Sequence, residues 1–183
     1  MLVPFVLSAL IARCAPGVGP ITMSAVVVHE SGAFPYAIAD NTARRSYFPH
    51  DAVHAIGLAR ALLAAGHNVD LGYAQINSSN LTPYGLDVAR ALDPCTNVAT
   101  GSRILRAAYA GARVRFGPGQ VALEHALSAY NSGGYYASMS YARDVYATAA
   151  ALHYARKTGR HSAAFGGRAV AFHRVAHAPV VAK

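Results

Sequence analysis

The stretch Ala25-Val26-Val27-Val28-His29-Glu30-Ser31-Gly32 constrains this chain more than any other. Pro20 stands where a first-turn proline belongs, Gly32 suits the left-handed turn that ends a helix, and Pro35 forbids continuation. A helix from Pro20 or Ile21 to Ser31 is therefore predicted. It carries a carboxylate directly after three valines, and burying a carboxylate while charged is costly. Glu30 either reaches water at the helix end or is kept for chemistry. Only one other glutamate occurs, Glu124.

The 183 residues suffice for one domain with its own core. With 54% hydrophobic and 13% charged residues, the composition is that of a globular chain rather than a disordered one. No apolar run reaches the length of a membrane span. Met1 to Ala12 is apolar but lacks a basic leader and a clear cleavage site, so it reads as a first helix rather than a signal peptide. The net charge of +8 is unevenly placed. Up to Ala150 ten arginines face eight acids, whereas residues 151–183 hold six basic residues and no acid. The chain thus divides into a domain over 1–150 and a segment over 151–183, the end of the last helix and a basic, solvated tail. A polyanion is the alternative role for that tail.

Further along, Asp51 is an N-cap for a helix to about Ala65, closed by Gly66. Its expected inner positions are Val53, Ile56, Ala59, Leu62 and Leu63. Ala33 to Pro49 reads as a loop, and His67 to Asn80 as a loop with a short β-hairpin. Asp87 opens a short helix to Leu92. Thr96 or Asn97 is expected to cap a helix to Phe116, which Gly117-Pro118-Gly119 breaks. Helices over Gln120–Tyr130 and Tyr141–Lys157 complete a mainly α chain with at most one short β-hairpin.

Three polar motifs stand out against this alanine-rich background: Glu30-Ser31-Gly32, Gly72-Tyr73-Ala74-Gln75-Ile76-Asn77 and Ala129-Tyr130-Asn131-Ser132-Gly133. In this order and spacing they resemble the soluble lytic transglycosylases, which share a lysozyme-like fold with goose-type lysozymes and cleave peptidoglycan strands. Cys14-Ala15-Pro16, Gly66-His67-Asn68-Val69-Asp70-Leu71-Gly72 and Asp93-Pro94-Cys95-Thr96-Asn97 match the branch associated with type IV secretion and conjugation. The resemblance covers about Pro4 to Tyr146. It implies a lysozyme-like domain with Glu30 as catalytic acid, Ser31 beside it, Gln75 and Asn77 along the saccharide groove, and Tyr130 and Asn131 completing the pocket. It also implies a monomer in the periplasm, with peptidoglycan and secretion-system components as partners and no cofactor or nucleic acid. Tyr73-Ala74 departs from the family's usual pair.

The residue types suit that chemistry. A leaving glycosidic oxygen needs a proton from an acid still protonated near neutral pH, and an apolar site provides one by desolvating the charged form. Neutral amides hold sugar hydroxyls without depressing that acid's pKa. Tyr73, Tyr135 and Tyr136 could stack on pyranose faces or serve as packing. His29 and Glu124 read as surface residues, and the tail histidines lack the spacing and companions of a metal site. Cys14 and Cys95 are compatible with buried thiols; in a cell-wall enzyme of the resembled branch, a disulfide is expected. A lysozyme-type hydrolase and a catalytically silent glycan-binding assembly factor are the competing readings.

Overall fold

A computed structural model describes residues 3–158, with side chains from Leu7 onward. The tail expected beyond the last helix lies outside the described residues. The helices are α1 (Val3–Cys14), α2 (Pro20–Ser31), α3 (Ala52–Ala64), α4 (Val88–Leu92), α5 (Pro94–Phe116), α6 (Gln120–Ser132) and α7 (Met139–Thr158). Four short strands, β1 (Ile38–Asp40), β2 (Arg45–Tyr47), β3 (Val69–Leu71) and β4 (Ile76–Asn77), form an antiparallel sheet in the order β2-β1-β3-β4. The chain is mainly helical, as the sequence implied. The first hairpin, β1–β2, lies in what reads as a loop. Its strands are only three residues each, too short for alternation to mark them.

Two apolar clusters divide the interior. The larger gathers Met23, Val26 and Val27 of α2 with Leu105 of α5, Leu127 of α6 and Val145 of α7. The smaller lies between the sheet and α3–α4, built from Ile38, Val69, Leu71, Ala55, Ala59 and Leu92. Val53 is 79% exposed, so α3 turns Ala55 rather than Val53 inward. Both clusters meet along the segment that carries the second polar motif.

The caps explain where elements begin. The side chains of Asp51 and Asp87 accept hydrogen bonds from the backbone N–H of His54 and Arg90, as their N-cap positions require. The long helix starts earlier than expected: Asp93 accepts from the Thr96 N–H, with Pro94 in the first turn. Thr96 and Asn97 therefore lie inside α5, which frees the Asn97 side chain for another task. Cys14 at the end of α1 and Cys95 at the start of α5 are joined as a disulfide.

Candidate active site

Glu30 ends its helix as the sequence required, with Gly32 left-handed at φ 61° and its N–H donating to the Val28 carbonyl. The carboxyl does not reach water there. It is 4% exposed. Tyr141, on α7, donates its hydroxyl to Glu30 Oε1 at 2.5 Å. Burial pushes the Glu30 carboxyl up to about 8; the Tyr141 hydrogen bond works against that rise, and negative charge on Asp70 adds to it. Tyr141 itself is buried, and both that burial and the charge of Glu30 hold its phenol well above the usual range.

Tyr130, on α6, stacks near Tyr141 with ring centroids 6.5 Å apart and planes 22° apart. Its hydroxyl donates to the Ala74 carbonyl at 2.8 Å. Gly101 of α5 lies under this contact: an added Cβ would stand 3.1 Å from the Tyr130 hydroxyl and 2.6 Å from Ala74 Cβ. The bare helix backbone therefore lets the third motif touch the second. Glu30, Tyr141, Tyr130 and the Ala74–Gln75 backbone form one contiguous arrangement.

The turn bearing Gln75 is held from two sides. Asn97 Nδ2 donates to the carbonyls of Leu71 and Ala91, and its Oδ1 accepts from the Ala74 N–H. A Cβ on Gly72 would come within 2.5 Å of that amide, and Gly72 has φ 73°, so glycine is required twice over. Gln75 has φ 46°, a left-handed conformation uncommon for a side-chain-bearing residue. Its Nε2 donates to the carbonyls of Ala37 and Gly72, while its buried Oε1 has no protein partner among the described residues.

Asn131 presents a similar acceptor. Its Nδ2 donates to Ser138 Oγ at 2.6 Å, and its buried Oδ1 has no protein partner among the described residues. Ser31 turns its hydroxyl back to the Val27 carbonyl, within its own helix. Asn77 is engaged inside the sheet: its Nδ2 donates to Asp70 Oδ1 and Asn68 Oδ1. Asn41 holds the other Asp70 oxygen at 2.7 Å. Burial pushes Asp70 up to about 7, against these two amides, which lower it.

Tyr141 is the site residue that sequence reasoning missed. Its inward face was readable from Tyr141 and Val145, spaced by one helical turn, but its partner lies 111 residues away. His29 also touches this group, its ring edge-on to Tyr141 at 4.9 Å. Tyr135 and Tyr136 lie elsewhere, in a cluster with Phe116 and His125. Among the described residues no group of three or more His, Cys, Asp or Glu could hold a metal ion.

Glu30 is thus a buried carboxyl, pushed up to about 8 and braced by a tyrosine from another helix. Residues 9–151 match the family described as "Transglycosylase SLT domain", and the chain belongs to that family. It is 44% identical over 135 residues to the type IV secretion system protein virB1 of Brucella abortus, covering 73% of this chain and 56% of that protein. The Brucella suis protein of the same name shows the same identity and coverage. Protein virB1 of Agrobacterium fabrum is 36% identical over 123 residues, which are 67% of this chain and 50% of the relative. The chain thus matches about half the length of these relatives. No solved structure matches it at a significant level.

Proposed function

We propose that this chain is a peptidoglycan lytic transglycosylase that cleaves the β-1,4 bond between N-acetylmuramic acid and N-acetylglucosamine. The observation that carries this reading is the state of Glu30: buried, pushed up to about 8, and so protonated at neutral pH. Tyr141 donates to Oε1, which leaves Oε2 as the oxygen that carries the acidic proton.

Glu30 Oε2 gives its proton to the glycosidic oxygen as the bond to C1 breaks. The substrate's own 2-acetamido oxygen stabilises the cation developing at C1. The Glu30 carboxylate then takes the proton of the muramyl C6 hydroxyl, whose oxygen bonds to C1. A 1,6-anhydro ring forms, no water is consumed, and Glu30 is protonated again. The closure is intramolecular, so a pocket that fixes the sugar favours it strongly over attack by water. The unpartnered oxygens of Gln75 and Asn131 suit them to accept hydrogen bonds from sugar hydroxyl or amide groups. Tyr130 and Ser31 hold the walls beside Glu30, and Asn77 contributes through the Asp70 network.

Similarity to the type IV secretion system protein virB1 of Brucella supports a place beside such an apparatus, where the enzyme would open the wall locally. We take it to act in the periplasm, a reading supported by the Cys14–Cys95 bond, which oxidising conditions there would favour. The test is turbidity loss of purified peptidoglycan: the native protein clears it and Glu30→Gln does not. Equal clearing by both would overturn the assignment of Glu30. Clearing by neither would support a catalytically silent, glycan-binding role.

A further inference from the structure

The connection from Gly133 to Ser138 joins α6 to α7 and runs between two residues of the site, Asn131 and Tyr141. Side chains of α6 hold its backbone at three places. Ser128 Oγ donates to the Gly134 carbonyl at 2.8 Å and accepts from the Ser138 N–H at 2.9 Å. Ser132 Oγ lies 3.2 Å from the same carbonyl and accepts from the Gly134 N–H at 3.3 Å. His125 Nδ1 donates to the Tyr135 carbonyl at 2.8 Å. His125, Ser128 and Ser132 are spaced three and four residues apart, so they share one face of α6. That polar face has no part in the chemistry assigned to Glu30.

Ser128 is the member that grips both ends. It is fully buried, and its hydroxyl spends its donor and an acceptor on the connection. Ser138 immediately precedes α7, and its carbonyl accepts from the Ala142 N–H in the first turn. A serine at such a position ordinarily caps its own helix. Ser138 Oγ instead accepts from Asn131 Nδ2 at 2.6 Å. The entry of α7 is therefore hung on α6 through the N–H and the hydroxyl of one residue. Tyr141 lies inside that first turn, buried, with its hydroxyl on Glu30 Oε1 of α2. Functional side chains must be held to within about 0.5 Å, so whatever places the α7 entry bears on that contact.

We propose that Ser128 is a positioning residue for Glu30: by fixing both ends of the Gly134–Ser138 connection it sets the first turn of α7 and so delivers the Tyr141 hydroxyl to the carboxyl. It touches neither substrate nor reacting atoms. Its bearing on catalysis rests on the reading of Glu30 as the acid, whereas its bearing on the Tyr141–Glu30 contact does not. The titratable groups around Glu30 are Tyr141 on α7, Tyr130 on α6 and Asp70 on β3, with His29 of α2 against the Tyr141 ring. Of these, Tyr141 alone lies beyond the connection that Ser128 holds. A change in Glu30 on replacing Ser128 therefore reports the Tyr141 contact.

The test uses the full chain and needs no substrate. Glu30 and Glu124 are the only glutamates, so isotope labelling of glutamate carboxyls gives two signals to follow by NMR titration. The native Glu30 midpoint is expected at about 8. Tyr141→Phe should raise it by about one pH unit, because a hydrogen bond to the charged form is lost. Ser128→Ala should raise it about half as far and lower kcat on peptidoglycan about threefold. Added to Tyr141→Phe, it should raise the midpoint no further. His125→Phe keeps a ring against Phe116 and loses only the bond to the Tyr135 carbonyl. It should move the midpoint the same way by less, and it decides the matter should Ser128→Ala not fold. An unchanged midpoint in folded Ser128→Ala, or an equal further rise on the Tyr141→Phe background, would overturn the proposal. The expected shifts in a protein that leaves peptidoglycan intact would keep the positioning role and contradict the glycan-cleaving reading instead.

Discussion

Glu30 and Asp70 make an instructive pair. Both are carboxyls less than 5% exposed, and burial raises both, to about 8 and about 7. Their neighbours differ. Each Asp70 oxygen accepts from an amide, Asn41 on one side and Asn77 on the other, and those amides bind strands together. Among the described residues the one hydrogen bond to Glu30 comes from a phenol on a different helix, and it goes to a single oxygen. Burial alone therefore does not distinguish the two carboxyls; their hydrogen-bond partners do. A donor on each oxygen turns it into a structural acceptor, whereas a donor on one oxygen leaves the other free to carry and transfer a proton.

The largest expected difference follows from replacing each in turn. Glu30→Gln should lower glycan cleavage about 1,000-fold or more, since general acid catalysis supplies on the order of 10²–10⁴. Asp70→Asn should retain much of the activity. Its new amide would oppose one of the amides of Asn41 and Asn77, so it should cost about 1–3 kcal/mol of stability. Steady-state rates and urea melts on both variants decide this. Equal rate losses would make Asp70 a second catalytic acid and favour the hydrolase reading.

Tyr141→Phe sharpens the contrast further. It should lower kcat about tenfold, because Glu30 loses the group that fixes its rotamer. The alkaline limb of the rate profile should move to higher pH, since the phenol's hydrogen bond favours the ionised carboxyl. A limb that moved down would contradict this assignment of the proton.

The two carboxyls should also mark the stability profile. Both pKa values are raised on folding, so the folded state holds protons that the unfolded chain gives up. Their contribution to stability should be fullest below about pH 4 and fall as pH rises, through about 7 for Asp70 and about 8 for Glu30, against the opposite trend of Asp40, Asp51 and Asp93, whose carboxyls are held low. Glu30→Gln should remove the upper part of that fall, which denaturation at several pH values would reveal. An unchanged profile would mean that Glu30 titrates normally.

The smallest effect on chemistry should come from the disulfide. Cys14 and Cys95 close 81 residues of sequence, worth about 4–5 kcal/mol by the chain-entropy model. Cys14→Ser with Cys95→Ser should lower Tm markedly yet keep activity at low temperature. Mass spectrometry of the native protein checks the bond itself.

What could be read beforehand was local. Pro20, Gly32, Asp51 and Asp87 marked helix ends because caps and breakers act within a turn. The motif residues were legible as types, and their order identified the family. What escaped depends on contacts across the chain. Asn97 resembled a helix cap because amides often are, but Asp93 reaches the Thr96 N–H first, and Asn97 instead clamps the Gln75 turn. The β1–β2 hairpin is held by pairing with β3, 31 residues further along at Ala39 and Asp70. Tyr141 was an ordinary inward tyrosine until α7 was laid against α2.

The central claim is that Glu30 works alone, first as acid and then as base, with the substrate's own hydroxyl in place of water. Mass spectrometry of a complete peptidoglycan digest tests it most directly. Muramyl ends one water lighter than the hydrolysed form, as 1,6-anhydro products, are expected as the main species. Reducing muramyl ends as the main species would contradict it and would give Asp70 or another base a water to activate.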